Sequence, residues 1–172
     1  MSTDMIISAL SDPHQRGSFD CGIASLNEYL QRYAGQDRKR NVSRVFVASS
    51  ASHPHTTLGY YSLSAGSVSA ESLPAEYTRR LPRYPVPVAI LGRLAVSLSC
   101  QKQGIGSLLL VDALKRVYHA SQTLAVFAVV VDAIDKPALT YYQQFGFIPL
   151  PHHPQRLFLP LDTIANLLDE NP

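Results

Sequence analysis

Apolar positions along the chain fall into two rhythms. Met5 to Leu10 is a short apolar run that predicts a first strand. Ile23, Leu26, Tyr29, Leu30 and Tyr33 recur at helical spacing, with Asp20 of Phe19-Asp20-Cys21-Gly22 placed as the N-cap. Arg44 to Ser49 and Leu58 to Ala65 read as strands, separated by a turn from Ser50 to Thr56. Leu73-Pro74-Ala75-Glu76-Tyr77 starts a short helix, and Pro82, Pro85 and Pro87 stiffen the entry to a strand from Val88 to Val96. Leu108, Leu109, Val111, Ala113, Leu114 and Val117 mark the next helix. Thr123 to Val131 is a continuous apolar run that suits a strand covered on both faces. Asp135-Lys136-Pro137 opens a helix from Ala138 to Phe145, and Gly146 ends it. Phe147 to Leu150 and Arg156 to Leu161 are two last strands joined by Pro151-His152-His153-Pro154. Asp162 caps a final helix from Thr163 to Leu168. The resulting order, β-α-β-β-(α)-β-α-β-α-β-β-α, predicts an α/β (α+β) fold with a mixed sheet and helices on its faces. No linker or repeat divides it, so residues 1–172 are expected to form one domain.

The join between the Val88–Val96 strand and the following helix carries the chemistry. It reads Gln101-Lys102-Gln103-Gly104-Ile105-Gly106-Ser107. A glycine-rich turn at a helix start leaves backbone N–H groups without carbonyl partners, backed by the positive end of the helix dipole. That arrangement binds phosphate or pyrophosphate, and glycine lets the ligand approach the backbone. A nucleoside-triphosphate loop needs Lys-Ser or Lys-Thr after its last glycine, but Ser107 and Leu108 follow here. A dinucleotide loop needs a third glycine, but Leu109 stands at that position. The pattern that remains is Q/R-x-x-G-x-G/A.

Composition narrows the partners. Net charge is only +2, yet twelve of the fifteen Lys and Arg residues lie between Arg32 and Arg116, with four of the thirteen acids. The middle of the chain therefore offers a basic surface to an anionic partner. The two cysteines, Cys21 and Cys100, make no disulfide framework and read as small buried residues. Met1-Ser2-Thr3-Asp4 lacks signal-peptide features, and the longest apolar run is too short for a membrane span. A cytoplasmic address is expected. His53 and His55 alone do not supply a metal site, so no metal is expected.

The glycine turn resembles the acetyl-CoA pyrophosphate loop of the GNAT N-acetyltransferase superfamily. Three further blocks extend the resemblance over nearly the whole chain: Phe19-Asp20-Cys21-Gly22 with Leu26 and Leu30; Leu58-Gly59-Tyr60-Tyr61-Ser62-Leu63; and Ala138 through Tyr141-Tyr142-Gln143-Gln144-Phe145-Gly146-Phe147. Leu91-Gly92-Arg93-Leu94-Ala95-Val96 precedes the turn itself. Together they look like the GNAT toxins of bacterial toxin–antitoxin systems, which acetylate the α-amino group of aminoacyl-tRNA and stop translation. The resemblance implies a mostly antiparallel twisted sheet whose splayed strands form the CoA cleft. It also implies acetyl-CoA as cofactor, aminoacyl-tRNA as acceptor, a ribbon-helix-helix antitoxin as partner, and a homodimer.

The residue types fit that chemistry. An α-amino group has a pKa of about 7.7–8.0, so no strong base is needed to expose its lone pair. Backbone N–H groups near Ala95 and Val96 suit a carbonyl oxygen that gains charge. Leu94, Ala95, Val96, Gln101, Gln103, Gly104, Ile105, Gly106, Ser107 and Tyr142 are the expected cofactor residues. A tyrosine hydroxyl suits protonation of the leaving thiolate. Spacing alone leaves Tyr141 and Tyr142 open, and the resemblance selects Tyr142. Acceptor candidates are Arg93, ranked first, with Arg79, Arg80, Arg83, Arg38, Lys39, Arg40, Arg32 and Arg44. The Arg38-Lys39-Arg40 run also reads as a solvated helix terminus. Two other readings compete: a GNAT enzyme acting on a small-molecule or protein amine, and a non-catalytic regulator that binds CoA or DNA.

Overall fold

A computed structural model describes residues 4–170. Met1-Ser2-Thr3, three of the four residues read above for signal-peptide features, lie outside the described residues. Strand β1 (Met5–Ala9) is followed by a long helical segment. It begins as α1 (Ala24–Glu28), widens into a π-helical turn over Tyr29–Tyr33, and continues as α2 (Ala34–Lys39). Then come β2 (Arg44–Ser50), β3 (Gly59–Val68), the single turn α3 (Ala75–Thr78), β4 (Val86–Val96) and α4 (Ile105–Ala120). The chain ends with β5 (Ala128–Asp132), α5 (Lys136–Phe145), β6 (Ile148–Leu150), β7 (His153–Pro160) and α6 (Leu161–Glu170).

The strands form a seven-stranded sheet in the order β1-β2-β3-β4-β5-β7-β6. β1 with β2, β2 with β3, β5 with β7 and β6 with β7 are antiparallel, whereas β4 and β5 are parallel. The parallel register runs from Val88↔Ala128 to Leu91↔Val131. The expected α/β fold with a mixed, mostly antiparallel sheet is therefore present.

Two compact units divide the chain, one running to Ser64 and resuming at Gly92–Ala113, the other comprising Ala65–Leu91 and the chain from Leu114. In the first, α1 and its π-helical continuation bury Leu26, Tyr29 and Leu30 against Val45, Val47, Tyr60 and Ala95. In the second, Val86, Val88, Ala128, Val130, Leu150 and Phe158 form the core, with Tyr77 edge-on to Phe158 at 5.2 Å. Burial of such side chains stabilises each unit by roughly 1.5–3 kcal/mol apiece.

Several local expectations change. Asp20 does not cap the first helix. The N-cap is Ile23, without a side-chain bond, and Asp20 Oδ1 instead accepts from Gly22 N–H at 2.9 Å and Asn27 Nδ2 at 2.9 Å. Gly22, at φ +90°, turns the chain between them. The strand expected from Thr123 begins only at Ala128. The N–H groups of Thr123 and Leu124 both bond the Ala120 carbonyl, so these residues close the end of α4. Asp162 lies inside the first turn of α6 and is not its cap, because the helix starts one residue earlier at Leu161. His153 and Pro154 belong to β7, which shortens the expected four-residue turn. Cys21 is buried as expected, but Cys100 is only half-buried.

Candidate active site

The glycine turn has the conformation its composition demands. Gly104 sits at φ +83°, where a side chain is strained, and Lys102 takes φ +66° without being glycine. Left-handed residues in a turn before a helix help aim backbone N–H groups outward, where an anion can meet them. α4 starts at once, at Ile105, and Leu108 N–H bonds the Gly104 carbonyl at 3.1 Å. The N–H groups of Ile105 and Gly106 thus precede the first intrahelical bond. Gly106 has an ordinary backbone, and an added Cβ would meet only Val96 Cγ2 at 3.7 Å. Packing does not require glycine there, so the open space above it fits a ligand that lies on the backbone.

Gln101 has a second role. Its Nε2 donates to the carbonyls of Val96 and Cys21, each at 3.0 Å, and so staples the turn to the end of β4. The β4 end is fixed from the other side by Gly59. A Cβ at Gly59 would lie 2.8 Å from the Ala95 carbonyl oxygen and 2.9 Å from Leu109. Ala95 is buried, while Leu94 and Val96 are half-buried. A cavity of about 540 Å³ beside the turn is lined by Gln103, Ile105, Leu108, Cys100, Leu58 and Met5, among others.

The two tyrosines of α5 separate clearly. Asp135 caps this helix, its Oδ1 accepting from Ala138 N–H at 2.9 Å, and Gly146 at φ +111° ends it. Tyr142 is buried and edge-on to Phe147 at 5.5 Å, whereas Tyr141 is half-buried. No hydrogen bond holds the Tyr142 hydroxyl among the described residues. Burial pushes its pKa well above the usual phenol range, and the neighbouring Tyr141 adds in the same direction. The hydroxyl is therefore fully protonated at neutral pH and available to a ligand.

The basic residues divide by what already holds them. Arg38 donates to the Leu10 carbonyl at 2.6 Å and to Asp12 at 3.2 Å. Arg44 bonds Asn41 at 2.7 Å, and Arg32 pairs with Glu28 at 3.5 Å on the surface. Lys39, Arg40, Arg79, Arg80 and Arg83 are exposed. Arg93 is half-buried, and its guanidinium lies 3.5 Å from the centroid of the Tyr29 ring. Tyr29 is legible in the sequence only as a core position, because a helical apolar stripe does not reveal which strand residue lands on it. Among the described residues there is no group of three His, Cys, Asp or Glu able to hold a metal, and no helix long and apolar enough to cross a membrane.

The sequence profile described as "Acetyltransferase (GNAT) family" matches residues 23–147, which span both the glycine turn and Tyr142. The chain belongs to the GNAT acetyltransferase family. Within that family, it is similar to the tRNA-acetylating toxin of Mycobacterium tuberculosis (strain ATCC 25618 / H37Rv). The two are 35% identical over 161 residues, covering 94% of this chain and 95% of that protein. Among solved structures, AtaT complexed with acetyl-methionyl-tRNAfMet matches with a TM-score of 0.89 at 30% identity, over 96% of this chain and 99% of that one. A tyrosine-to-phenylalanine mutant of the AtaT toxin, bound to the C-terminus of the antitoxin AtaR and to acetyl-CoA, matches with a TM-score of 0.82 at 28% identity. That match covers 96% of this chain and 98% of that one.

Proposed function

We propose that this GNAT protein is a toxin that moves the acetyl group of acetyl-CoA to the α-amino group of an aminoacyl-tRNA and so blocks translation. The observation that carries the reading is the likeness to a tRNA-acetylating toxin over 94% of the chain. The glycine turn, Arg93 and Tyr142 give it chemical content.

Acetyl-CoA supplies an acetyl thioester already activated for transfer. The N–H groups from Gln103 to Ser107 hold its pyrophosphate, with Gly104 and Gly106 leaving the backbone open. The backbone of Leu94, Ala95 and Val96 holds the pantetheine arm, and N–H groups near Ala95 and Val96 receive charge that develops on the carbonyl oxygen. Tyr142 Oη carries the proton that the sulfur takes as its bond to carbon breaks. A phenol is a weaker acid than a thiol, so Tyr142 gives up this proton only in step with bond cleavage and regains one from the amine nitrogen. The net result is one proton moved from nitrogen to sulfur, with Tyr142 unchanged. Arg93, Arg79, Arg80, Arg83, Lys39, Arg40 and Arg38 supply charge for the tRNA backbone. Arg38 does so least, since its guanidinium is already engaged.

The full chain, residues 1–172, acts as one GNAT domain in the cytoplasm, as a homodimer, and a ribbon-helix-helix antitoxin silences it. The basic middle of the chain suits an acidic antitoxin tail. The decisive assay supplies labelled acetyl-CoA with charged tRNA, deacylated tRNA, free amino acids and polyamines. Acetylation confined to charged tRNA is expected. Equal acetylation of free amines would replace the tRNA reading with a small-molecule one.

A further inference from the structure

Arg93 stands apart from the other basic residues described above in how it is held. Its guanidinium lies on the Tyr29 ring, 3.5 Å from the centroid, and it makes no ion pair among the described residues. The ring beneath it is itself held by two contacts. Tyr29 is 5% exposed and stacks on Tyr60, with centroids 6.3 Å apart and planes within 18°. Its hydroxyl donates to Asp37 at 2.8 Å. Tyr60 in turn donates to the Leu26 carbonyl at 2.7 Å, and Phe19 packs edge-on against it at 5.6 Å. The guanidinium thus lies on a ring that Tyr60 and Asp37 hold in place.

The helix itself is modified at this point. Tyr29 begins the π-helical turn, where Ala34 N–H reaches back to the Tyr29 carbonyl. Such turns add a residue to the helix and are frequent at functional sites. A guanidinium covered on one face keeps its N–H edges for bidentate bonds to an oxyanion such as phosphate, and stacking reduces the freedom lost on binding. A half-buried cation with no anion beside it among the described residues points to one that arrives with a ligand. Arg93 lies two residues before Ala95 on β4, about 6–7 Å along an extended strand. It is therefore close to the backbone assigned to the reacting carbonyl.

We propose that Tyr29 is a positioning residue that holds the Arg93 guanidinium as a preorganised receptor for a phosphate at the acceptor end of the tRNA. This rests on the tRNA reading above. Acetyl-CoA also carries phosphates, so the experiment separates the two sources. Initial rates are measured for wild type, Arg93→Lys, Tyr29→Phe and Tyr29→Leu with charged tRNA, with an aminoacyl-adenosine that lacks phosphate, and with varied acetyl-CoA. Arg93→Lys keeps the charge but loses the flat stack. It should raise the KM for charged tRNA about tenfold, with kcat changed less than about threefold. It should leave both the KM for acetyl-CoA and the rate on aminoacyl-adenosine near wild type. Tyr29→Phe keeps the ring and should resemble wild type. Tyr29→Leu should match Arg93→Lys, and the double variant should be no worse than either alone, because one removes what the other uses. If Tyr29→Leu does not fold, Arg93→Lys and Tyr29→Phe carry the test. A wild-type KM for tRNA in Arg93→Lys overturns the proposal, as does an equal loss on aminoacyl-adenosine or a rise confined to the KM for acetyl-CoA. A wild-type enzyme that ignores charged tRNA refutes the tRNA reading itself, an outcome visible before any variant is made.

Discussion

Tyr142 and Tyr141 are adjacent, of one residue type and on one helix, yet they are not equivalent. Tyr142 is 6% exposed, with its pKa raised by burial, and its hydroxyl has no hydrogen-bond partner among the described residues. Tyr142→Phe removes that hydroxyl and almost no volume, so folding and acetyl-CoA binding should persist. Acetylation of charged tRNA should fall about 10²–10⁴-fold, the usual worth of a general acid, while Tyr141→Phe is nearly silent. Steady-state rates of the two variants check this, and full activity in Tyr142→Phe removes the tyrosine from the mechanism. His14 offers a separate test at this scale. It is 8% exposed, and its Nδ1 accepts from Ser11 N–H at 3.0 Å, which requires the neutral ring. Burial chiefly lowers its pKa, with His55 and Arg16 adding to the effect. The unfolded chain therefore binds a proton more readily than the folded one, and this contribution to stability is lost as pH falls through the ordinary histidine range near about 6.5. The urea midpoint should drop between about pH 7.5 and about 5.5, and less steeply in His14→Gln.

The strand–turn–helix from β4 to α4 places the cofactor loop. Its parts have separate physical origins: Gln101 ties the turn down, Gly104 supplies a left-handed backbone, and Gly106 keeps space open. Gly106 is the cleaner site for a test, because its φ does not demand glycine. Gly106→Val should leave circular dichroism and the melting temperature close to wild type while weakening acetyl-CoA binding by at least about tenfold in calorimetry. Wild-type affinity would show that the pyrophosphate lies elsewhere. Replacing Gly104 should also abolish binding, but with some loss of stability from the strained backbone, on the order of 1 kcal/mol. The first helix shows what an element can hide. Its apolar stripe is plain in the sequence, but the π-helical turn at Tyr29–Tyr33 is not. Helix periodicity tolerates one extra residue without a compositional mark.

Charge distribution acts over the whole molecule. Arg79, Arg80 and Arg83 are exposed at the end of α3 and in the segment beyond it, and twelve of the fifteen basic residues lie in the middle of the chain. Their combined replacement by Ala should weaken binding to all tRNAs alike. It should also reduce the slope of log affinity against log salt by about one for each phosphate that is no longer neutralised. Arg93→Ala should weaken binding too, with a smaller change in slope. Filter binding between low and physiological salt distinguishes them, and an unchanged slope in the triple variant would take those arginines out of the interface.

The order of elements, the glycine turn with its helix, and the family are legible in the sequence. These depend on local periodicity and on residue types that few backbone shapes accept. Spacing in α5 left Tyr141 and Tyr142 open as the candidate acid, and the family resemblance selected Tyr142. Features that need distant residues to meet emerge only in the fold. Cys21 and Val96, remote from each other in sequence, both receive Gln101. Asp20 was drawn into a turn with Gly22 and Asn27, and so away from capping. Burial gave Tyr142 and Tyr141 different surroundings, and only folding laid Arg93 on Tyr29, far earlier in the chain. Local patterns state which groups a segment can offer. Which groups remain uncommitted depends on what the fold has already packed and hydrogen-bonded around them.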